Sequence, residues 1–196
     1  MSYRHNPLPH VLAVTCPGCG GCARFEFATI VAIRLKKDTP FFEASAHFDY
    51  QLCIGRGGHR WHGAIFYAGL HGGTQCIDGL PEGYKASDWE HSKHLIRAEG
   101  LDEGALTCPA CSRRNKHTLD WPEDAYFTLE YKGASLWAFH REAAQELRDF
   151  IASPDRHTRG YVWQAFLRKV PTTFKTKKAR ATVLKRLDRL LASEGG

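Results

Sequence analysis

Two short cysteine pairs constrain this chain more than any other feature: Cys16-Pro17-Gly18-Cys19-Gly20 near the start and Cys108-Pro109-Ala110-Cys111 far downstream. Each places two thiols one tight turn apart, and the proline after the first cysteine pre-sets the bend. Such a turn aims both sulfurs at one point. Two of them supply the four soft ligands that a tetrahedral Zn²⁺ takes in closed structural sites. Cys16, Cys19, Cys108 and Cys111 are therefore the expected ligands and Zn²⁺ the expected cofactor. Their pairing ties the N-terminal segment to one far along the chain, a closure that apolar contacts alone would specify poorly.

Three further cysteines, Cys22, Cys53 and Cys76, compete for this role. Cys16, Cys19 and Cys22 sit three apart, a spacing that iron–sulfur ferredoxins also use, but the fourth cysteine followed by proline is absent and Cys108 and Cys111 would be unexplained. Cys22 reads as a spare thiol or an alternative ligand. Among the eleven histidines, His59 and His62 fall in a strand-like stretch, where that spacing sends them to opposite faces. His91 and His94 lie one helical turn apart, where they could converge on a second metal or a phosphate, although histidines on a polar helix are more often surface residues.

The charge is divided unevenly. From Arg156 to Gly196 there are 11 Lys or Arg against two acids, whereas the preceding residues are mildly acidic. A polyanionic partner, most often nucleic acid, is the reading that such asymmetry favours; a solvated helix face is the alternative. No apolar run approaches the roughly 18 residues that span a bilayer, and the first fifteen residues lack the layout of a secretory signal. A cytoplasmic location is expected, and in a reducing compartment Cys-x-x-Cys turns point to metal rather than disulfides.

Periodicity predicts an α+β fold. Phe25 to Leu35, Phe41 to Ile54 and His59 to Leu70 read as three strands separated by Gly and Pro signals, an antiparallel sheet inserted between the two cysteine turns. Ser87-Asp88-Trp89-Glu90 fits a capping box that opens a helix ending near Gly100. Ala125 to Tyr131 and Leu136 to Phe139 read as a hairpin about Lys132-Gly133. Helices are expected over His140 to Ala152, Tyr161 to Val170 and Lys177 to Leu191. The expected organisation is a metal-stapled α+β domain over residues 11–155 and a basic helical tail over 156–196.

The paired turns resemble those of zinc-ribbon and treble-clef zinc-binding proteins, over the residues around Cys16 to Cys22 and Cys108 to Arg114. That resemblance implies a zinc-ribbon-like core with an inserted antiparallel sheet and C-terminal helices, and a binding or docking role. A second, smaller resemblance is to the ending of HNH nucleases, in Glu90-His91 followed by Cys108-Pro109-Ala110-Cys111-Ser112-Arg113-Arg114-Asn115-Lys116-His117. It implies His91 as a general base and a separate metal, often Mg²⁺, on the scissile phosphate. Gly104-Ala105-Leu106 stands where that family usually supplies its asparagine.

The expected function is a non-catalytic nucleic-acid-binding or accessory module, with DNA or RNA as partner and no membrane. The candidate contacts are Arg113, Arg114 and Lys116 after the second cysteine turn, and Arg168, Lys169, Lys175, Lys177, Lys178, Arg180, Lys185, Arg186 and Arg189 in the tail. Tyr161 and Trp163 could stack on bases. The rival expectation is a protein–protein adaptor that docks through the stripe Val183, Leu184, Leu187 and Leu191.

Overall fold

The computed structural model describes residues 8–55, 57–90 and 102–193. It is a mixed α and β structure with antiparallel sheets. Four strands, β1 (Val11–Thr15), β2 (Cys22–Phe27), β6 (Glu103–Thr107) and β7 (Arg114–Thr118), form one sheet in the order β1-β2-β6-β7. It is two β-hairpins side by side. Thr15 pairs with Cys22 across the first turn and Thr107 with Arg114 across the second, while Arg24 pairs with Thr107 between them. Both six-residue turns therefore leave the sheet at the same end.

Between β2 and β6 the chain builds a second sheet from β3 (Thr29–Ala32), β4 (Phe48–Ile54) and β5 (Arg60–Phe66), in the order β3-β5-β4. This is the expected inserted antiparallel sheet, with two corrections. The stretch Phe25 to Leu35 is not one strand: it breaks at Ala28, whose N–H donates to Glu103 O at 3.0 Å, so that β2 serves one sheet and β3 the other. Phe41 to Ile54 is also not continuous. Its beginning is the helix α1 (Thr39–Ala44), with Pro40 in the first turn, where a fixed φ and a missing N–H cost nothing. Phe42 packs from α1 onto Phe48 and Trp89, which give this sheet its own apolar core. The third expected strand shortens to β5 and is followed by α2 (Ala68–His71).

The capping-box signature at Ser87 does not open a helix there. Ala86–Trp89 is a 3₁₀ turn in which Asp88 accepts from Lys85 N–H at 3.1 Å, and Glu90 is already extended. Burial of Trp89, whose Nε1–H donates to Ala64 O at 3.0 Å, overrides the local preference. The remainder of that expected helix, with His91 and His94, lies outside the described residues.

Beyond β7, the hairpin β8 (Phe127–Tyr131) and β9 (Ala134–Ala138) turns at Lys132 and Gly133, both with positive φ, as a two-residue hairpin loop requires. Three helices follow: α3 (Arg141–Ala152), α4 (Gln164–Arg168) and α5 (Lys177–Ala192). Thr176 caps α5 by accepting from Ala179 N–H at 3.2 Å.

The apolar face of α5 is buried against α3 and β8. Ala179, Val183, Leu187 and Leu191 belong to the same core as Leu12, Phe25 and Leu106 of the four-stranded sheet. This corrects the adaptor expectation, because Val183 and Leu187 are no more than 2% exposed and cannot dock in a partner's groove. Phe166 and Leu167 are buried as well, and the half-buried Trp163 packs on Phe139 and His140, so these side chains contribute to the core. Glu146 of α3 fixes the approach to α4 by accepting from Val162 and Trp163 N–H at 2.9 and 2.8 Å. Truncating Leu187→Ala should destabilise the protein by about 2–5 kcal/mol, measured by denaturant unfolding followed through tryptophan fluorescence.

Candidate metal centre

The two six-residue turns are copies of one another. In each, the first cysteine's N–H donates to the carbonyl five residues on: Cys16 to Gly21 O at 2.8 Å and Cys108 to Arg113 O at 2.9 Å. In each, the residue four places after the first cysteine adopts positive φ: Gly20 at 73° and Ser112 at 56°. Each turn also follows the same burial order. Cys16 and Cys108 are buried, while Cys19 and Cys111 are exposed.

Because the turns leave the sheet side by side, the four sulfurs meet. Cys16 Sγ lies 3.7 Å from Cys111 Sγ and Cys19 Sγ lies 3.6 Å from Cys108 Sγ, each a contact between turns. All four ligand atoms fall within 4.8 Å of one another. These distances are far beyond the roughly 2.05 Å of a disulfide. They match the separation of about 3.8 Å set by a tetrahedral ion with metal–sulfur bonds of about 2.3 Å. Cys16, Cys19, Cys108 and Cys111 could thus hold a metal ion.

The four thiols do not ionise alike. The Gly18 N–H, 3.4 Å from Cys16 Sγ, draws that thiol down to about 6 against an opposing cost of burial. At Cys19 the Gly21 amide lowers the pKa, but the Cys108 and Cys111 sulfurs outweigh it and push the thiol up to about 12. One negative charge is readily accommodated by sulfurs this close, and four require a cation among them. Arg113 lies against the opposite turn, placed so that a Cβ added to Gly18 would meet its Nε at 3.0 Å, and so brings positive charge to the cluster's rim.

Cys22, the expected alternative ligand, opens β2 and is not one of the four. Cys53 and Cys76 belong to the inserted region, where the Cys76 thiol donates to Gly73 O at 3.2 Å.

The basic residues expected to meet nucleic acid separate into two kinds. Arg114 and Lys116 join the two sheets: Arg114 donates to Gly69 O and Leu70 O at 3.1 Å each, and Lys116 pairs with Asp49 and sits over the Tyr67 ring. Their alternation along β7 is visible in the sequence, but their carbonyl and carboxylate partners come from remote segments. Arg168 is engaged by Thr158 and Gln164, and Arg186 by Glu130 O. Lys175 and Arg180 are half-buried, whereas Arg113, Lys169, Lys177, Lys178, Lys185 and Arg189 are exposed. On α5, at about 100° per residue, Lys178, Lys185 and Arg189 fall in one row opposite the buried stripe. Asp188, the one acid in that helix, pairs with Arg148 at 2.9 Å.

What the sheet and cluster define is a pair of antiparallel hairpins joined at a four-cysteine centre compatible with a metal ion. The chain matches no protein-family model, no curated protein and no solved structure.

The equivalence of the turns is open to test. Ser112→Gly should stabilise the protein by about 1 kcal/mol, since glycine accepts positive φ without a Cβ clash, and Gly20→Ala should destabilise it by a similar amount. Thermal unfolding of the two variants checks both signs.

Proposed function

We propose that the four cysteines hold Zn²⁺ in a zinc-ribbon-type staple and that the protein is a non-catalytic nucleic-acid-binding module. A closed set of four thiolates leaves no position for water or substrate, which suits a structural ion rather than a reactive one. Thiolate donors in a tetrahedral arrangement favour Zn²⁺ over hard cations such as Mg²⁺. Arg113 at the rim offsets part of the charge of about −2 that four thiolates leave on a divalent ion.

One observation carries the nucleic-acid reading: the exposed row Lys178, Lys185 and Arg189 on a helix whose other face is locked in the core. Among the described residues these three enter no ion pair, so their charge remains available to phosphates. A rigid helix presents them at fixed spacing, which lowers the ordering cost on binding. Arg113, Lys169 and Lys177 are further contacts available on the surface. Either DNA or RNA fits this chemistry, because phosphates carry the interaction.

Two measurements test the two halves of the reading separately. Elemental analysis of the purified protein should give one zinc per chain; Cys108→Ser should abolish it and lower the melting temperature steeply, because metal binding and folding are coupled. Fluorescence anisotropy with labelled single-stranded DNA, duplex DNA and RNA should show binding that weakens steeply with salt. Lys178→Ala/Lys185→Ala/Arg189→Ala should reduce affinity and flatten the salt slope by about 0.9 per lost contact on duplex DNA. Unchanged binding in the triple variant at an unchanged melting temperature would refute the α5 interface.

A further inference from the structure

Each sulfur of the cysteine centre has a close neighbour in the opposite turn: Cys16 with Cys111 at 3.7 Å and Cys19 with Cys108 at 3.6 Å. Both contacts join a buried cysteine to an exposed one, because Cys16 and Cys108 are buried while Cys19 and Cys111 are exposed. Each also spans a long stretch of chain, 95 residues for the first and 89 for the second. Closing either contact to the roughly 2.05 Å of a disulfide is a movement of roughly 1.6 Å.

We propose that the cysteine centre is a redox-interchangeable staple, which hydrogen peroxide converts from its zinc form to a metal-free form closed by two cross-turn disulfides, Cys16–Cys111 and Cys19–Cys108. The proposal rests on the zinc reading above and adds its regulation. Susceptibility to oxidation follows exposure, so Cys19 and Cys111 react first. The Cys19 thiolate attacks one oxygen of peroxide, the O–O bond breaks, and hydroxide departs to leave a sulfenic acid on Cys19. Cys108, its neighbour across the turns, attacks that sulfur as a thiolate, forming the S–S bond and expelling the second hydroxide. Cys111 and Cys16 react in the same way. Two peroxides thus oxidise four thiolates to two disulfides and are themselves reduced to four hydroxides, which take up four protons as water. Thiolate is the metal-ligating form of cysteine, so the ion is released once the thiolates are consumed.

The cross-turn pairing decides what oxidation does to the fold. A disulfide within either Cys-x-x-Cys turn closes a loop of a few residues and leaves the two hairpins unjoined. The cross-turn bonds hold β2 beside β6, as the ion does, and a cross-link over a long loop restricts the unfolded chain more than one over a short loop. The oxidised protein therefore loses its ion and keeps its fold. What changes is charge: the centre passes from about −2 to neutral, beside the Arg113 side chain that lies against Gly18.

Peptide mapping of the full-length protein tests the proposal. Trypsin leaves Cys16 and Cys19 in the fragment 5–24 and Cys108 and Cys111 in the fragment 98–113, so bonds within a turn keep the fragments separate and bonds between turns link them. Zinc is measured on the reduced protein, and hydrogen peroxide is then added with a chromogenic chelator present. The expected result is release of one zinc per chain and linked fragments whose tandem mass spectra assign Cys16–Cys111 and Cys19–Cys108. The melting temperature should stay near that of the zinc form, whereas chelation without oxidant should lower it steeply. Zinc present in the reduced protein but separate fragments after oxidation overturns the exchange alone, as does a link through Cys22 or unfolding on release of the ion. Absence of zinc from the reduced protein overturns the metal reading and the exchange together.

Discussion

Bringing two cysteine turns to one end of a single sheet is the constraint on which the other contacts depend. β2 and β6 are neighbours in space, yet the whole inserted sheet lies between them in the chain. The entropy of closing such a loop rises only slowly with length, but it must be offset by contacts that recognise this pair of strands and no other. Apolar residues such as Phe25 and Leu106 favour burial without specifying which hairpin meets which. Four sulfurs within 4.8 Å could specify it by holding a metal ion, since each turn contributes two of the four.

The inserted region illustrates how a second packing unit is kept in register with the first. Phe42, Phe48, Phe66, Tyr84 and Trp89 form a core of their own, separate from the larger one. A small cluster of Ala28, Ile65, Tyr67 and Ala105 joins the two sheets, and polar links surround it. The Tyr67 hydroxyl donates to Glu103 at 3.0 Å, and burial together with that carboxylate pushes the phenol well above its ordinary pKa. Arg114 and Lys116 reach across from β7 beside it. Basic residues that appear in the sequence as a surface patch are here part of the joint between sheets, and the same residue types on α5 face outward.

Legibility in the sequence followed interaction range. The two cysteine turns, the β8–β9 hairpin and the helices α3 and α5 are each set by residues within a few positions of one another: Cys-Pro-x-Cys, Lys132-Gly133, or apolar residues at helical spacing. The errors fall where a neighbour from elsewhere decided the outcome. Phe25 to Leu35 has unbroken strand character, and only the partners on either side of Ala28 divide it between two sheets. The signature at Ser87 gave way to Trp89, which is buried in a pocket made by Phe42, Phe48 and Tyr84. Ser112 sits in the conformation that Gly20 adopts, a likeness that Cys-Pro-Ala-Cys does not reveal by itself.

The sequence alone determined the chemistry available: four thiols in two preformed turns, an antiparallel inserted region, and an amphipathic basic helix. These are local properties, dictated by side-chain type, backbone freedom and periodicity. Tertiary structure alone decided which charges are spent and which surfaces remain open. It buried the α5 stripe in the common core, engaged Arg114 and Lys116 between sheets, and left the row from Lys178 to Arg189 facing outward. Those outcomes depend on which distant segments meet, and that is settled by burial and hydrogen-bond satisfaction across the whole chain rather than within any one window of it.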